Sequence, residues 1–157
     1  MINAMNLIYS KSALARIENI RVSQIKRLEV WATVVFVVIE GRRPRFYSKK
    51  VFKQNFVMRR QQEARAIYIN RVKGNWFRAV NPKKGSAYDV YALQDGIDCT
   101  CEDYANQMRF LKKGCCKHGY AALLHLGFNT LADYVEHQRW VDTSHPPFEN
   151  LEEDLVA

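Results

Sequence analysis

The chain of 157 residues has little of what catalytic sites are usually built from. It contains no glycine-rich loop of the kind that cradles phosphates and no His-Glu-x-x-His pair. The His-x-Glu and Pro-Cys-x-x-Cys segments of a zinc deaminase are missing, and outside the tail no cluster of acids offers a place for two metal ions. Catalysis lacks a candidate, so the chain is expected not to be an enzyme. Long apolar runs are also lacking. The longest, Val30 to Ile39, is bounded by Glu29 and Glu40 and has about half of the roughly 20 residues that a spanning helix needs. Its five valines, isoleucine and threonine read instead as one buried strand. Lys11 and Arg16 interrupt the start before any sustained apolar run, which speaks against a secretory signal. These absences together predict an intracellular protein, cytoplasmic or in the nucleoid or nucleus, with no membrane partner.

Cysteine is scarce, and its placement matters more than its number. All four fall between positions 99 and 116, whereas a disulfide scaffold would tie distant loops together. Acids are scarce where bases are dense: from Arg42 to Lys84 there are fourteen Lys or Arg against one acid, Glu63. The last 17 residues reverse this, with five acids and no Lys or Arg. A basic body with an acidic tail suits a polyanionic partner, nucleic acid before an anionic membrane.

The residue pattern predicts an α+β fold in which a small antiparallel sheet is followed by a metal-stapled helical segment. Residues 1–65 are expected to form an N-terminal extension of strand and helix. In it a strand near 29–39 turns at Glu40-Gly41-Arg42-Arg43-Pro44, and Arg45 to Tyr47 return beside it. Ser48 is the N-cap of a helix that runs to about Ala66, with Phe52 and Phe56 on one face. The polar second half of that helix is expected to lie exposed. Ala66 to Val72 and Trp76 to Val80 form a hairpin across Lys73-Gly74-Asn75, and Ala87 to Leu93 adds a third strand. Tyr104, Met108 and Leu111 give helical spacing up to Gly114, read as a C-terminal cap. Further helices are expected from about Lys117 to Gly127, with Tyr120, Leu123 and Leu124, and from Thr130 to about Arg139. The main unit thus covers 66–140, and 141–157 form an acidic tail.

Two ligands at positions i and i+2 of an extended chain point to the same side, so Cys99 and Cys101 can face one ion with Thr100 turned away. Downstream, Cys116-Lys117-His118 repeats that spacing, with the histidine in the first turn of a helix. Three thiolates and one imidazole suit Zn²⁺, fill all four tetrahedral positions and leave none for an activated water. The metal is therefore expected to be structural. Cys115 with His118 would serve the same chemistry, and spacing alone does not choose between Cys115 and Cys116.

Cys99-Thr100-Cys101 and Cys116-Lys117-His118, after an aromatic-bearing hairpin and before the apolar helix GYAALLHL, resemble a SWIM-type zinc finger, here as a small stand-alone domain. That family's pattern is Cys-x-Cys, a variable gap, then Cys-x-His on a ββα unit, which selects Cys116 over Cys115. The resemblance covers about Ala66 to Gly127. One departure is Gly119, where the family usually carries an aliphatic residue. The family implies binding to DNA or to proteins without chemistry of its own. The candidate nucleic-acid contacts are Arg71, Lys73, Trp76, Arg78, Lys83 and Lys84 on the hairpins, and Lys112, Lys113 and Lys117 beside the metal ligands. Lys and Arg meet phosphates while an aromatic face can stack on bases. Trp76 and Phe77 must point to opposite faces, so one of them belongs to the core. The alternative is an adaptor that docks on a larger DNA-processing enzyme, a recombinase, transposase or helicase, through the helix near Tyr120 to Leu126 or the acidic tail.

Overall fold

The computed structural model describes residues 1–144, and it is an α+β fold with two small antiparallel sheets. The acidic tail from residue 145 onward lies outside the described residues. Two helices come first, α1 (Ala4–Ile8) and α2 (Lys11–Glu18), and a single 3₁₀ turn leads into the first sheet. Strands β1 (Ile25–Val30), β2 (Val34–Ile39) and β3 (Arg45–Ser48) lie in that order, and α3 (Lys49–Ala64) follows directly. The second sheet holds β4 (Tyr68–Lys73), β5 (Trp76–Asn81), β6 (Ser86–Leu93) and β7 (Gly96–Cys99), again in chain order. Helices α4 (Glu102–Leu111), α5 (Lys117–His125) and α6 (Leu131–Ser144) complete the described chain. No helix among these residues is long and apolar enough to cross a membrane.

The first sheet corrects the sequence reading. The run from Val30 to Ile39 is not one strand: the chain turns at Trp31-Ala32-Thr33, so β1 and β2 pair as a hairpin with Val30 opposite Val35. Nor is the run buried throughout. Val35, Val37 and Ile39 point inward, while Val34, Phe36 and Val38 between them are only partly covered. That is the period-2 pattern of a sheet with one packed face. The inner face meets Leu14 and Phe52, each fully buried, with Tyr9 set edge-on to Phe52 at 5.7 Å.

Helix α3 begins where Ser48 accepts a hydrogen bond from the amide of Lys50 at 3.2 Å. Its second half is exposed in part, as its polarity suggests, at Met58, Arg59 and Gln62, but one face of it is not. Arg60 and Ala64 are buried there, because this end of the helix packs against α5. The second core gathers Ala64, Phe77, Ala79, Val90, Ile97, Leu123 and Tyr134 with the four cysteines. Phe77 is 1% exposed and Trp76 36%, so the phenylalanine is the core member of that pair.

In α4 the inward position belongs to Gln107, which is 1% exposed, while Met108 faces solvent. Lys112, at φ +59°, ends that helix instead of Gly114. Gly114 is needed for another reason: a β-carbon there would lie 2.3 Å from the Gln107 side-chain oxygen.

Candidate metal centre

Four local decisions bring the donors together. Cys99 closes β7, opposite Val90 on β6, and both residues are buried. Cys101 is the N-cap of α4, and its sulfur accepts a hydrogen bond from the amide of Tyr104 at 3.4 Å. Cys116 is the N-cap of α5 in the same way, accepting from the amide of Gly119 at 3.4 Å. His118 stands in the first turn of α5, its ring held against Tyr88 with centroids 4.6 Å apart. Two cysteines at helix starts are thus met by free amides and the positive end of the helix dipole, both of which favour thiolate.

The ligand atoms of Cys99, Cys101, Cys116 and His118 all lie within 4.8 Å of one another, and all four residues are buried. His118 Nδ1 is 3.8 Å from the Cys99 sulfur and 3.9 Å from the Cys116 sulfur. A tetrahedral ion with metal–sulfur bonds near 2.3 Å and metal–nitrogen bonds near 2.1 Å has sulfur–nitrogen edges of roughly 3.6 Å. The donor set and its spacing therefore fit a four-coordinate metal. The cluster can hold an ion with every position supplied by protein.

Electrostatics point the same way. Hydrogen bonds from Cys116 and Cys99 hold the Cys101 thiol far below its ordinary value. The counterpart of those bonds, chiefly the one to Cys101, pushes Cys99 up to about 12. Cys116 is raised further, by its bonds to Cys101 and Cys99 and by burial. Three sulfurs at this separation can carry one negative charge but not three, unless a cation neutralises the others.

Cys115 stays out of the cluster. Its sulfur lies 3.7 Å from the Cys116 carbonyl oxygen, and a β-carbon on Gly119 would meet that sulfur at 2.8 Å. Gly119 is accordingly the partner that makes room for Cys115. His125 is also apart, in edge contact with Phe77.

A polar chain that the sequence did not reveal supports the second ligand pair. Arg60 on α3 donates to both carboxylate oxygens of Asp103 on α4, at 2.9 and 2.6 Å. Gln107 donates to Asp103 at 3.1 Å, and its oxygen accepts from the amide of Cys115 at 3.1 Å. The backbone one residue before Cys116 is therefore fixed by a buried amide that is itself held by an ion pair. The only available signal was a glutamine at helical spacing from Tyr104, Phe110 and Leu111.

The nine candidate nucleic-acid residues do not form one patch. Trp76 and Arg78 share the outer face of the second sheet, but both donate to Asp89, at 3.0 and 2.9 Å. Arg71 is on the other face, its guanidinium 5.2 Å from the Phe77 ring. Lys73 sits at one end of the β4–β5–β6 meander. Lys83 and Lys84 sit at the other end, roughly 16 Å away along β5, where their amides donate to the Asn81 side chain. Lys112 and Lys113 follow α4, beyond its last turn. Lys117 donates to Glu63 at 3.1 Å. Burial pushes the Glu63 carboxyl up, but the hydrogen bonds from Arg59 and Lys117 prevail and hold it below its ordinary value.

No family model, no curated protein and no solved structure matches this chain.

Proposed function

We propose that this chain is a SWIM-type zinc module that holds one structural Zn²⁺ through Cys99, Cys101, Cys116 and His118. In this reading it binds nucleic acid, DNA first, through a basic surface and performs no chemistry of its own. The observation that carries the proposal is the convergence of four buried soft donors at tetrahedral spacing, with no position left for a reactive water. The order of parts supports the family reading. The β6–β7 hairpin delivers Cys-x-Cys, and Cys-x-His opens the helix packed beneath the sheet. When bound, zinc would supply the positive charge that lets the three thiols ionise together.

The partner is read from the charge. Among residues 1–144, twenty-four Lys or Arg face twelve acids. The adaptor reading has less surface to use, since Tyr120 to Leu123 are spent in the core; Leu124 on α5 and Trp140 and Val141 on α6 are exposed and remain for it.

Two measurements test the proposal. Purified protein should carry about one zinc per chain, and Cys99→Ser should lower that content. Affinity for DNA should fall with salt at a log–log slope of about −0.9 per phosphate contacted. Metal-free protein that folds normally would sink the zinc assignment. An absence of DNA binding at low salt would favour the adaptor.

A further inference from the structure

Most of the excess positive charge of residues 1–144 lies outside the segment that carries the candidate metal donors. Residues 1–65 hold fourteen Lys or Arg against four carboxylates, whereas residues 66–144 hold ten against eight. All four carboxylates of the first segment are already in ion pairs. Glu18 pairs with Arg42 at 2.8 Å, Glu29 with Arg27, Glu40 with Lys26 at 3.0 Å, and Glu63 with Arg59 at 2.7 Å. Ten cations of the segment are left over, and since Asp103 takes the buried Arg60, nine remain uncompensated. Arg43, Arg45 and Lys50 are exposed among them, on β3 or within two residues of it.

The outer face of the first sheet carries three aromatic rings that the core does not use. Trp31 and Phe36 stack with centroids 5.6 Å apart, and Phe46, opposite Phe36 on β3, closes the triangle at 5.3 and 5.4 Å. Phe46 is 59% exposed and Trp31 48%. Polar groups beside the cluster hold it in place. Trp31 donates its indole N–H to Glu29 at 3.3 Å, and Arg27 donates to the same carboxylate at 2.7 Å. Lys49 donates to the carbonyl of Ala32 at 2.9 Å, which pins the turn that presents Trp31.

We propose that this aromatic face is a stacking platform for an unpaired nucleic-acid strand, with the surplus cations of residues 1–65 receiving its phosphates. The inference rests on the nucleic-acid reading above and moves its surface from the zinc module to the N-terminal sheet. A duplex would use the cations but has no free base faces to offer the rings. An apolar protein partner would use the rings but leave the cations unmatched. A single strand uses both, since every base has a π-face and every nucleotide a phosphate.

The test uses full-length, zinc-loaded protein and fluorescence anisotropy. The probes are labelled oligo-dT and oligo-rU of about 15 nucleotides and a DNA duplex of that length. Trp31→Ala and Phe46→Ala remove half-exposed rings outside the core, so unfolding should stay cooperative and its midpoint should fall by only a few degrees. Each should weaken oligo-dT binding by about tenfold or more while leaving duplex affinity nearly as it was. Trp31→Phe keeps a stacking face and should retain most of the affinity. Tighter binding of oligo-rU than oligo-dT would support the platform and name RNA as its strand. If the Ala variants bind oligo-dT like the wild type while Lys83→Ala with Lys84→Ala weakens it, the platform is overturned and the nucleic-acid reading stands. If the wild type binds no probe at low salt, both fall.

Discussion

Gly119→Ala and Cys115→Ala should be coupled, and the coupling can be worked from the structure. A β-carbon at position 119 would lie 2.8 Å from the Cys115 sulfur and 3.4 Å from Ile97 Cγ2. Favourable contacts between such atoms begin near 3.5 Å, so the sulfur must retreat by roughly 0.7 Å or more. Cys115 is 5% exposed and has little room to do so. Alanine gains up to about 1 kcal/mol over glycine inside a helix, and less in the first turn where residue 119 stands. Overpacking a filled core costs about 1–3 kcal/mol. Gly119→Ala should therefore destabilise by about 1 kcal/mol. Cys115→Ala alone leaves a small void and costs about 1 kcal/mol. In the double variant the new methyl enters the vacated space, so the two losses should fail to add by about 1–2 kcal/mol. Urea unfolding of the zinc-loaded proteins measures this, with unchanged m-values as the check that the states compared are the same. All three variants should keep their metal. Losses that add within about 0.5 kcal/mol, or a Cys115→Ala protein without metal, would refute the packing role.

Two further outcomes follow from the same geometry. Metal affinity should rise with pH: Cys101 is already held as thiolate, but Cys99, pushed up to about 12, and Cys116, higher still, must each give up a proton to a dication. About two protons should therefore leave per ion near neutral pH, seen by calorimetry in buffers of different ionisation enthalpy, and a pH-independent affinity would contradict the cluster's assigned charge. Gln107→Ala leaves the amide of Cys115 without its partner in the interior and frees one bond of Asp103, which should cost about 2–3 kcal/mol and speed zinc loss to a chelator; unchanged release would show that the loop before Cys116 needs no such support.

The candidate donor cluster was legible because metal chemistry imposes short-range spacing: Cys99 with Cys101, and Cys116 with His118, are each brought to one point by local backbone geometry. The hairpins at Gly74 and the caps at Ser48 and Thr130 were legible for the same reason, each depending on a few neighbouring residues. What sequence did not disclose depends on distant partners. Trp31-Ala32-Thr33 carries no glycine, proline or asparagine to announce a turn, so the valine-rich run reads as one strand. Arg60 looks like part of a solvated face until Asp103, 43 positions later, arrives to pair with it. Met108 fits the helical spacing as well as Gln107 does not, yet Gln107 is inside because two partners satisfy its amide.

The candidate metal donors lie in the second core and the charge excess on the segment that builds the first, and α3 contributes to both cores. Phe52 near its start is sealed under the first sheet, while Ala64 at its end lies with the four candidate metal donors, about 18 Å farther along the axis. Ser48 is at once the last residue of β3 and the cap of this helix, so the strand that presents Phe46 runs into α3 without a loop. At the far end Arg60 grips Asp103, and through Gln107 the grip reaches the backbone beside Cys116. A metal that fixes Cys116 and His118 thus fixes the end of a rigid bar whose other end holds the aromatic face. The zinc would then serve binding by orientation, acting on a surface it does not touch.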